Sequence, residues 1–492
     1  MELNQIYNTD ALEGLKQLDE NSIDAIVSDP PYSLSFMNKE WDTDLPSVEI
    51  LKECLRVLKF GSWAMWMMTP RQDSQLEFLL RLRQAGFNIS YSNLEWLYLS
   101  GFPKAADLSL LADKRACKED LTQKLGREPT IAEFKEAWGK WREVVGKRTD
   151  GRYAYSFQKE NAPFVVINKE KGIIANTESI GVETNPHSPE AQALSGSYSG
   201  FQMKPARELI LTSQKPIAGK TYLDQALLHL KEPEHNQLGG TWLDDCRVPY
   251  KQTDDIIAKN PHTTSKGSEA YDTVIYGKYN PVQQPIDYTK EVGRFPANII
   301  VSDNALDIGI NKKSRPDFRE EYNDSMKGII CGTGYKRQPN YVNDSGDLSR
   351  YFDLDFWFEN KLKELPKEQQ KIFPFLYVPK ASKSERNKGL ENLPETLSIN
   401  GDKWTDMDRR ENNKPTPRRN IHPTCKPIKL LSYLITLATR ENDIVLDPFI
   451  GSGTTAISSI LLKRRFIGFE REEEYYKIAT ERIKFYQKQE VL

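Results

Sequence analysis

Short apolar runs, separated by segments with helical spacing, mark both ends of the chain. Continuous apolar runs of this kind are typical of parallel strands that are buried on both faces. Alternation of such runs with helical segments predicts an α/β architecture at each end. The apolar runs are residues 23–28, 62–68, 444–446 and 466–469, and the helical segments between them are residues 48–58 and 454–463.

The two ends are predicted to share one sheet. Too few residues follow Leu446 for more than one strand–helix–strand unit and a closing helix. A doubly wound sheet needs more strands, so we expect the N-terminal α/β segment to complete it. The predicted fold class is therefore α/β, a Rossmann-like doubly wound sheet with a large inserted region.

The middle of the chain has a different character. Residues 105–172 are charged and helical, with a capping-box pattern from Thr130 to Glu133. The aromatic stripe that follows is interpreted as core packing, and it consists of Phe134, Trp138, Trp141 and Val145. Residues 176–200 are rich in Ser, Gly, Asn and Pro, which predicts a mobile loop.

These patterns divide the chain into five parts. A further strand is predicted at residues 208–212, and irregular sequence occupies residues 251–291 and 303–353. The predicted parts are a first sheet part at 1–104, a helical insertion and loop at 105–200, a sheet strand at 201–216, a target-recognition region at 217–375, and a ligand-binding sheet part at 376–492.

Composition narrows the environment and the partners. The 492 residues carry a formal net charge of -2, so a nucleic acid must be held by local basic patches and not by overall attraction. The five cysteines are scattered, which indicates neither a disulfide framework nor a metal site. No secretory leader or membrane-spanning run is evident, and we expect a soluble, cytoplasmic protein.

A buried strand, a glycine turn and a helix start follow one another at residues 443–455. Gly451 and Gly453 allow the backbone to approach a ligand closely, and the helix start at Thr454 offers free N–H groups. Glu470 ends the next apolar run, where a carboxylate can accept hydrogen bonds from ribose hydroxyls. Loop and acid together indicate a nucleoside-binding site.

The glycine loop leaves two ligand classes open. With Ala456, its glycines also satisfy the G-x-G-x-x-A pattern of dinucleotide binding, and glycines alone fit a plain tight turn. Asp447 at the strand end favours a ligand with a methionine moiety, because the ammonium group of that moiety needs a carboxylate. Nicotinamide chemistry would not require this acid.

The run at residues 23–28 leads directly into Asp29-Pro30-Pro31-Tyr32. Ligands of open α/β sheets bind at this carboxyl end of a strand. The prolines restrict the backbone, so the Asp29 carboxylate and the Pro30 carbonyl become two fixed acceptors that suit an exocyclic amine. Tyr32 can stack on a base that has left the duplex. A rigid turn would explain the two prolines but neither Asp29 nor Tyr32.

With these two motifs the sequence resembles the amino-methyltransferases of DNA. In that family an Asp-Pro-Pro-Tyr element contacts the target base, and an Asp-Pro-Phe-x-Gly-Ser-Gly element binds S-adenosylmethionine. The base element comes first here, an order similar to the beta group. The resemblance covers residues 1–104 and 376–492. Weaker similarity at 204–208 and 293–298, with the segment 36–42, looks like phage- and prophage-borne members.

The resemblance implies a cofactor, S-adenosylmethionine, and further roles. Asp10 matches the acid that contacts the cofactor adenine, although a helix cap explains it equally well. His422, in the segment 422–427, matches a residue at the methionine end of the pocket, and Phe449 matches an aromatic that flanks the cofactor. The complete set of predicted cofactor-binding residues is Asp10, Ala11, His422, Asp447, Phe449, Gly451, Gly453, Thr454 and Glu470.

Double-stranded DNA is the expected substrate. Residues 412–439 contain basic residues and no acid, which predicts a phosphate-binding patch, although a solvated charged face fits equally well. The bases would be read by the region at 217–375. The sequence leaves open a restriction endonuclease partner and a dimeric state. The predicted DNA contacts are Trp41, Lys414, Arg418, Arg419 and Lys426.

The predicted activity is therefore transfer of a methyl group to adenine N6, with the Asp29–Tyr32 turn as the catalytic element. Cytosine N4 is the nearest alternative, since it would use the same acceptors, but members acting on it more often carry Ser at the Asp29 position. Families that methylate RNA or protein glutamine are similar but carry Asn at the Asp29 position, so Asp29 counts against those activities. A nicotinamide oxidoreductase would leave Tyr32 unexplained. A non-catalytic DNA-binding module would need neither the glycine loop nor a base pocket.

Overall fold

The computed structural model describes most of the chain. Two predicted DNA contacts, Trp41 and Lys414, lie outside the described residues. The described ranges are 1–33, 44–98, 105–147, 167–168, 172–173, 182–200, 206–249, 293–302, 352–370, 380–398 and 416–490.

The described strands fall into one large sheet and three small pairs. In chain order they are β1 (Gln5–Asn8), β2 (Ile23–Ser28), β3 (Leu58–Met68), β4 (Leu94–Leu97), β5 (Val144–Lys147), β6 (Ile167–Asn168), β7 (Gly172–Ile173), β8 (Val182–Thr184), β9 (Arg207–Gln214), β10 (Ile299–Val301), β11 (Thr396–Ser398), β12 (Thr416–Arg418), β13 (Ile444–Asp447) and β14 (Arg465–Glu470).

The described helices connect and cover these strands. They are α1 (Ala11–Lys16), α2 (Val48–Val57), α3 (Gln72–Ala85), α4 (Leu108–Leu125), α5 (Ile131–Trp141), α6 (Pro189–Ala193), α7 (Tyr222–Lys231), α8 (Leu354–Lys363), α9 (Lys367–Gln370), α10 (Lys383–Asn387), α11 (Ile428–Ala438), α12 (Thr454–Leu461) and α13 (Glu473–Glu490), with a short 3-10 helix at Leu243–Cys246. Among the described residues, no helix combines the length and the apolar character that a membrane crossing requires.

The main sheet joins the two ends of the chain. Its described strands follow the order β1-β14-β13-β2-β3-β9-β4-β10. Neighbours run parallel except at β9, which is antiparallel to both β3 and β4. β13 pairs with β2, with Val445 opposite Ala25 and Leu446 opposite Ile26. The predicted Rossmann-like α/β fold and the sheet shared by both ends are confirmed.

The sheet changes its direction of growth between β2 and β13. From β2 the chain continues to β3 on one side, and from β13 it continues to β14 on the other. Such a switch point leaves a crevice outside the carboxyl ends of the strands, where ligands of open α/β sheets bind. Asp29 follows β2 and Asp447 ends β13, so both acids lie at this crevice.

Helices cover both faces of the sheet. Along β3, Met65 and Met67 join the apolar cluster formed with α8, α11, α12 and α13, whereas Trp66 and Met68 join the cluster formed with α1, α2 and α3. This alternation follows from the two-residue period of a strand. Because both faces are buried, the strands read in the sequence as continuous apolar runs.

The region predicted as a mobile loop contains regular structure. Ser188 caps α6 by accepting a hydrogen bond from the Ala191 N–H at 3.1 Å. The buried Asp113 of α4 accepts the backbone N–H groups of His187 and Ser188 at 2.9 and 2.8 Å. These hydrogen bonds fix the segment against α4, so the prediction is wrong for residues 182–200.

Two further sequence predictions need correction. β10 pairs with β4 in the main sheet, and Trp357 and Phe358 of α8 enter the core, so parts of the predicted recognition region at 217–375 belong to the sheet domain. The capping box at Thr130 and the core packing of the aromatic stripe are confirmed for Phe134 and Trp138. Val145 instead lies in β5 with 50% of its surface exposed.

Candidate active site

A cavity of about 320 Å³ lies at the crevice between β2 and β13. Its size is in the range of small-molecule sites. Both chain ends contribute to its lining, and most of the residues predicted from the sequence are among them. These are Asp10, Ala11, Asp29, Pro31, His422, Lys426, Asp447, Phe449, Gly451, Thr454 and Glu470.

Glu470 and Asp10 both line this cavity. Glu470 ends β14, and one of its carboxylate oxygens accepts the Glu472 N–H at 2.8 Å. Burial raises the pKa of Glu470 to about 7. Asp10 caps α1 by accepting the Leu12 N–H at 2.9 Å, and it also lines the cavity. The capping role of Asp10 is confirmed, and its contact with a cofactor stays a prediction.

Asp447 organises the turn between β13 and α12. Its two oxygens accept hydrogen bonds from the hydroxyls of Ser28 at 2.6 Å and Thr455 at 2.5 Å, and from the Phe449 N–H at 3.0 Å. Burial raises the pKa of Asp447 to about 6. Its carboxylate therefore already ties β2, β13 and α12 together, and the predicted contact with a ligand ammonium would add to that role.

Gly451 lies in the left-handed region, with φ of +52°, against the His422 ring. A Cβ atom at Gly451 would come within 2.7 Å of His422 Nε2. The His422 ring packs edge-on against Tyr475 with 4.6 Å between ring centroids, and burial lowers its pKa to about 3. His422 is thus a neutral, buried wall of the cavity, and Gly451 is required for the close approach of the loop to it.

The second loop glycine, Gly453, packs against α13. Gly453 has φ of +83°, and a Cβ atom there would meet the Ala479 Cβ of α13 at 3.2 Å. Its neighbours Ser452 and Thr454 line the cavity and Gly453 does not, so its contact with the cofactor stays a prediction. Arg482, a buried residue that the sequence did not single out, donates to the Ser452 carbonyl and braces the same loop.

The Asp-Pro-Pro-Tyr turn places Asp29 in the lining of the cavity. The Tyr32 hydroxyl donates to the Asp29 carboxylate, and Ser74 donates to the Tyr32 carbonyl at 3.1 Å. Burial raises the pKa of Asp29, and the positive charge of Lys426 opposes that rise. Pro30 is buried in the turn, and neither it nor Tyr32 lines the cavity. The Tyr32 ring would have to release Asp29 before it could stack on a base.

Lys426 belongs to this site and not to a basic surface. Its Nζ lies 3.2 Å from Asp29 Oδ1 and 2.8 Å from Glu208 Oε2, and its side chain is only 10% exposed. Although burial opposes the charge, Asp29 and Glu208 raise the pKa of Lys426. The prediction that Lys426 grips DNA phosphates is therefore corrected, because its ammonium is enclosed by two acids.

The rest of the predicted basic patch is also dispersed. Arg419 pairs with Glu395 at 3.0 Å, and Lys429 is buried in an ion pair with Asp355. Arg418 ends β12, and its role as a DNA contact stays a prediction. Arg419, Lys426 and Lys429 thus each form an ion pair with an acid from another segment.

Glu208 is the main site residue that sequence reasoning missed. It lies near the start of β9 with 16% of its side chain exposed, and Tyr98 donates to its Oε1 at 3.3 Å. Burial opposes its ionisation, but the charge of Lys426 lowers the pKa of Glu208. A carboxylate next to the apolar residues Leu209 and Ile210 in a predicted strand was the available signal.

Comparisons with known proteins agree with this geometry. The family model described as DNA methylase, which covers N6 and N4 methyltransferases, matches residues 240–481, just under half of the chain. Over this range the chain is therefore similar to the DNA methylase family. S-adenosylmethionine is the methyl donor of DNA methylases, so the family resemblance and the cofactor prediction are confirmed. The beta-group order and the phage-like character stay predictions.

Individual relatives match over short stretches. Type II methyltransferase M2.LlaDCHI of Lactococcus lactis subsp. cremoris is 44% identical over 82 residues, 17% of this chain and 29% of the relative. Type II methyltransferase M2.DpnII of Streptococcus pneumoniae is 53% identical over 62 residues, 13% of this chain and 23% of the relative. The chain thus matches less than a third of either relative. Among solved structures, PvuII DNA methyltransferase (cytosine-N4-specific) is 11% identical over 99% of this chain and 92% of its own, with a TM-score of 0.34.

Proposed function

We propose that this protein transfers a methyl group from S-adenosylmethionine to the N6 atom of an adenine in double-stranded DNA. The observation that carries the proposal is the meeting of two motifs in one cavity. Asp29 of the Asp-Pro-Pro-Tyr turn and Gly451 of the glycine loop, which come from opposite ends of the chain, both line it together with Glu470. A base-binding acid and a nucleoside-binding loop then face the same enclosed space.

The lining residues fit S-adenosylmethionine chemically. Glu470 would accept hydrogen bonds from the ribose hydroxyls, and Asp10 would contact the adenine of the cofactor beside Ala11. Phe449 is partly exposed and would pack against the cofactor. Gly451 leaves space because it has no Cβ atom beside His422. When bound, S-adenosylmethionine supplies an electrophilic methyl group on its sulfonium.

Asp29 would hold the amine and take up its proton. The adenine N6 lone pair is delocalised into the ring, so hydrogen-bond acceptors on its N–H groups must localise electron density as positive charge develops. The Asp29 carboxylate and the Pro30 carbonyl would provide these acceptors. Because burial raises the pKa of Asp29, its carboxylate oxygen would accept the proton that the amine loses.

The target base must leave the duplex to reach an enclosed cavity. The base amine would replace the Tyr32 hydroxyl at the Asp29 carboxylate, and the released Tyr32 ring would then stack on the base. The same acceptors would also suit cytosine N4. By analogy with the Type II relatives, the proposal includes a role in restriction and modification beside a restriction endonuclease.

The direct test is to incubate purified protein with S-adenosylmethionine and DNA and to quantify methylated nucleosides by mass spectrometry. We expect N6-methyladenine. N4-methylcytosine would reject the adenine assignment while keeping the reaction class, and no methylated base would reject the function. Modification-sensitive sequencing of DNA from cells expressing the chain would give the target site.

A variant of Asp29 tests its role directly. Asp29→Ala should abolish transfer while S-adenosylmethionine binding, measured by calorimetry, is retained. The matched control is Asp244→Ala, which removes a 76% exposed acid that pairs with Arg247, away from the cavity lining. Loss of both transfer and binding in Asp29→Ala would assign a folding role to Asp29.

A further inference from the structure

A buried cluster of charges surrounds the ammonium of Lys426. Besides Asp29 and Glu208, the Tyr32 hydroxyl lies 3.2 Å from Lys426 Nζ, and the Tyr32 ring centroid lies 5.4 Å from it. The side chains of Lys426, Glu208 and Asp29 are 10%, 16% and 18% exposed. They come from three separate parts of the chain, and Lys426 and Asp29 line the cavity.

Stability alone is a poor reason for this cluster. Moving charges out of water costs several kcal/mol per ion, and apolar side chains of similar volume are often at least as stabilising. Two carboxylates also surround one ammonium, which leaves a net negative charge. Buried groups of this kind at a cavity are candidates for a functional role.

A hydrogen-bond donor and a hydrogen-bond acceptor are adjacent in the cavity lining. Lys426 Nζ is a donor only, the Asp29 carboxylate is an acceptor, and they lie 3.2 Å apart. Adenine has the complementary edge, because its N6 amine donates and the neighbouring ring atom N1 accepts. Guanine and thymine carry the opposite pattern at the corresponding positions, a carbonyl oxygen beside a ring N–H.

We propose that Lys426 is a specificity-determining residue, which donates a hydrogen bond to the ring nitrogen next to the target amine while Asp29 accepts from that amine. This inference rests on the proposed function and adds the recognition of the base to it. Glu208 holds the ammonium in position through the 2.8 Å ion pair, and Tyr98 in turn donates to Glu208.

Glu208 also explains how a cation can stand beside a reacting amine. A lone ammonium would oppose the positive charge that develops on the amine during transfer. With Glu208 and Asp29 both ionised, the cluster keeps a net negative charge, which favours that developing charge. Lys426 can therefore select the base edge without an electrostatic penalty on the reaction.

The test compares a normal target duplex with one that carries 1-deazaadenine at the target position. This analogue has a carbon in place of N1 and keeps the amine. For the unmodified protein, we expect kcat/KM to fall roughly tenfold to a hundredfold, as for loss of a hydrogen bond to a charged group. Lys426→Met should lower kcat/KM on adenine by a similar factor and show little further loss on the analogue.

Two further variants separate recognition from folding. Glu208→Gln keeps Lys426 but weakens its ion pair, so it should reduce discrimination against the analogue even if Lys426→Met does not fold. The matched control is Lys477→Met, which removes a 63% exposed ammonium away from the cavity lining and should keep full discrimination. Circular dichroism and calorimetry with S-adenosylmethionine establish that each variant is folded.

The outcomes distinguish the inference from the proposed function. Equal methylation of adenine and 1-deazaadenine by the unmodified protein would overturn the inference and leave the function intact. So would full discrimination in both folded Lys426→Met and Glu208→Gln. If cytosine N4 is the product, the same comparison uses 3-deazacytosine. No methylation of any DNA would overturn the function and the inference together.

Discussion

Replacing each loop glycine by alanine should separate folding from cofactor binding. Gly451 and Gly453 both have positive φ, so a side chain at either position costs roughly 1–2 kcal/mol of backbone strain. At Gly453 the new Cβ would lie 3.2 Å from Ala479 Cβ, and this crowding in the core costs about 1 kcal/mol or more. We therefore expect Gly453→Ala to reduce the free energy of unfolding by about 2–4 kcal/mol.

Gly451→Ala should act on the cavity as well. Its Cβ would lie 2.7 Å from His422 Nε2, so the ring or the loop must move, and both line the site. We expect a comparable loss of stability and, in addition, roughly tenfold weaker S-adenosylmethionine binding, equivalent to about 1.4 kcal/mol. Gly453→Ala should bind the cofactor within about twofold of the unmodified protein.

Urea unfolding gives the stability of each variant, and calorimetry at a temperature where both are folded gives the affinity. Equal losses of affinity in the two folded variants would refute the separation of roles. It would mean that Gly453 acts on the ligand in spite of its position against Ala479 of α13.

Three further predictions concern titration and buried charge. Burial raises the pKa of Glu470 to about 7, so its carboxylate loses charge below pH 7. The affinity for S-adenosylmethionine, measured by calorimetry, should therefore rise up to roughly tenfold from pH 6 to 8. Glu470→Gln should lose this pH dependence. Lys429→Met removes the ammonium that pairs with the buried Asp355, so it should reduce the free energy of unfolding in urea by about 3–5 kcal/mol. The double variant Lys429→Met/Asp355→Leu should recover most of this loss. Burial lowers the pKa of His422 to about 3, below the ~6.5 of an unfolded histidine, so its contribution to stability is full above about pH 6.5 and declines toward pH 3. Between pH 7.5 and 5.5 the unmodified protein should lose about 1.4 kcal/mol more than His422→Gln in urea unfolding, and equal losses would contradict the burial of a neutral ring.

The sheet strands and two acids of the site could be predicted because each is marked by the residues next to it in the sequence. A run that is apolar at every position indicates a strand buried on both faces, and β2 begins and ends where its run does, at Ile23 and Ser28. Strand ends in a parallel sheet lie at one edge, so Asp29 and Glu470 could be assigned to one crevice from their positions after such runs.

The basic-patch prediction is wrong at Lys426 and Lys429 because the partners of a charged side chain are not local in the sequence. Residues 412–439 contain no acid, yet Lys426 pairs with Glu208 and Lys429 pairs with Asp355, each far away in the sequence. An acid-free run describes only the charges along one segment. Whether those charges reach solvent depends on which other segments pack against it, and that depends on the complete fold.

The antiparallel strand β9 explains why Glu208 could not be assigned to the site. In a parallel sheet the functional edge receives the carboxyl end of each strand, and an acid at the start of a strand would face the opposite edge. β9 runs against its neighbours, with Leu209 opposite Met68 at the end of β3. Its first residues, and not its last, therefore reach the edge where β2 and β13 end. The reversed direction of β9 thus brings Glu208 to Lys426, and under the proposed function its negative charge allows Lys426 to lie beside the target amine.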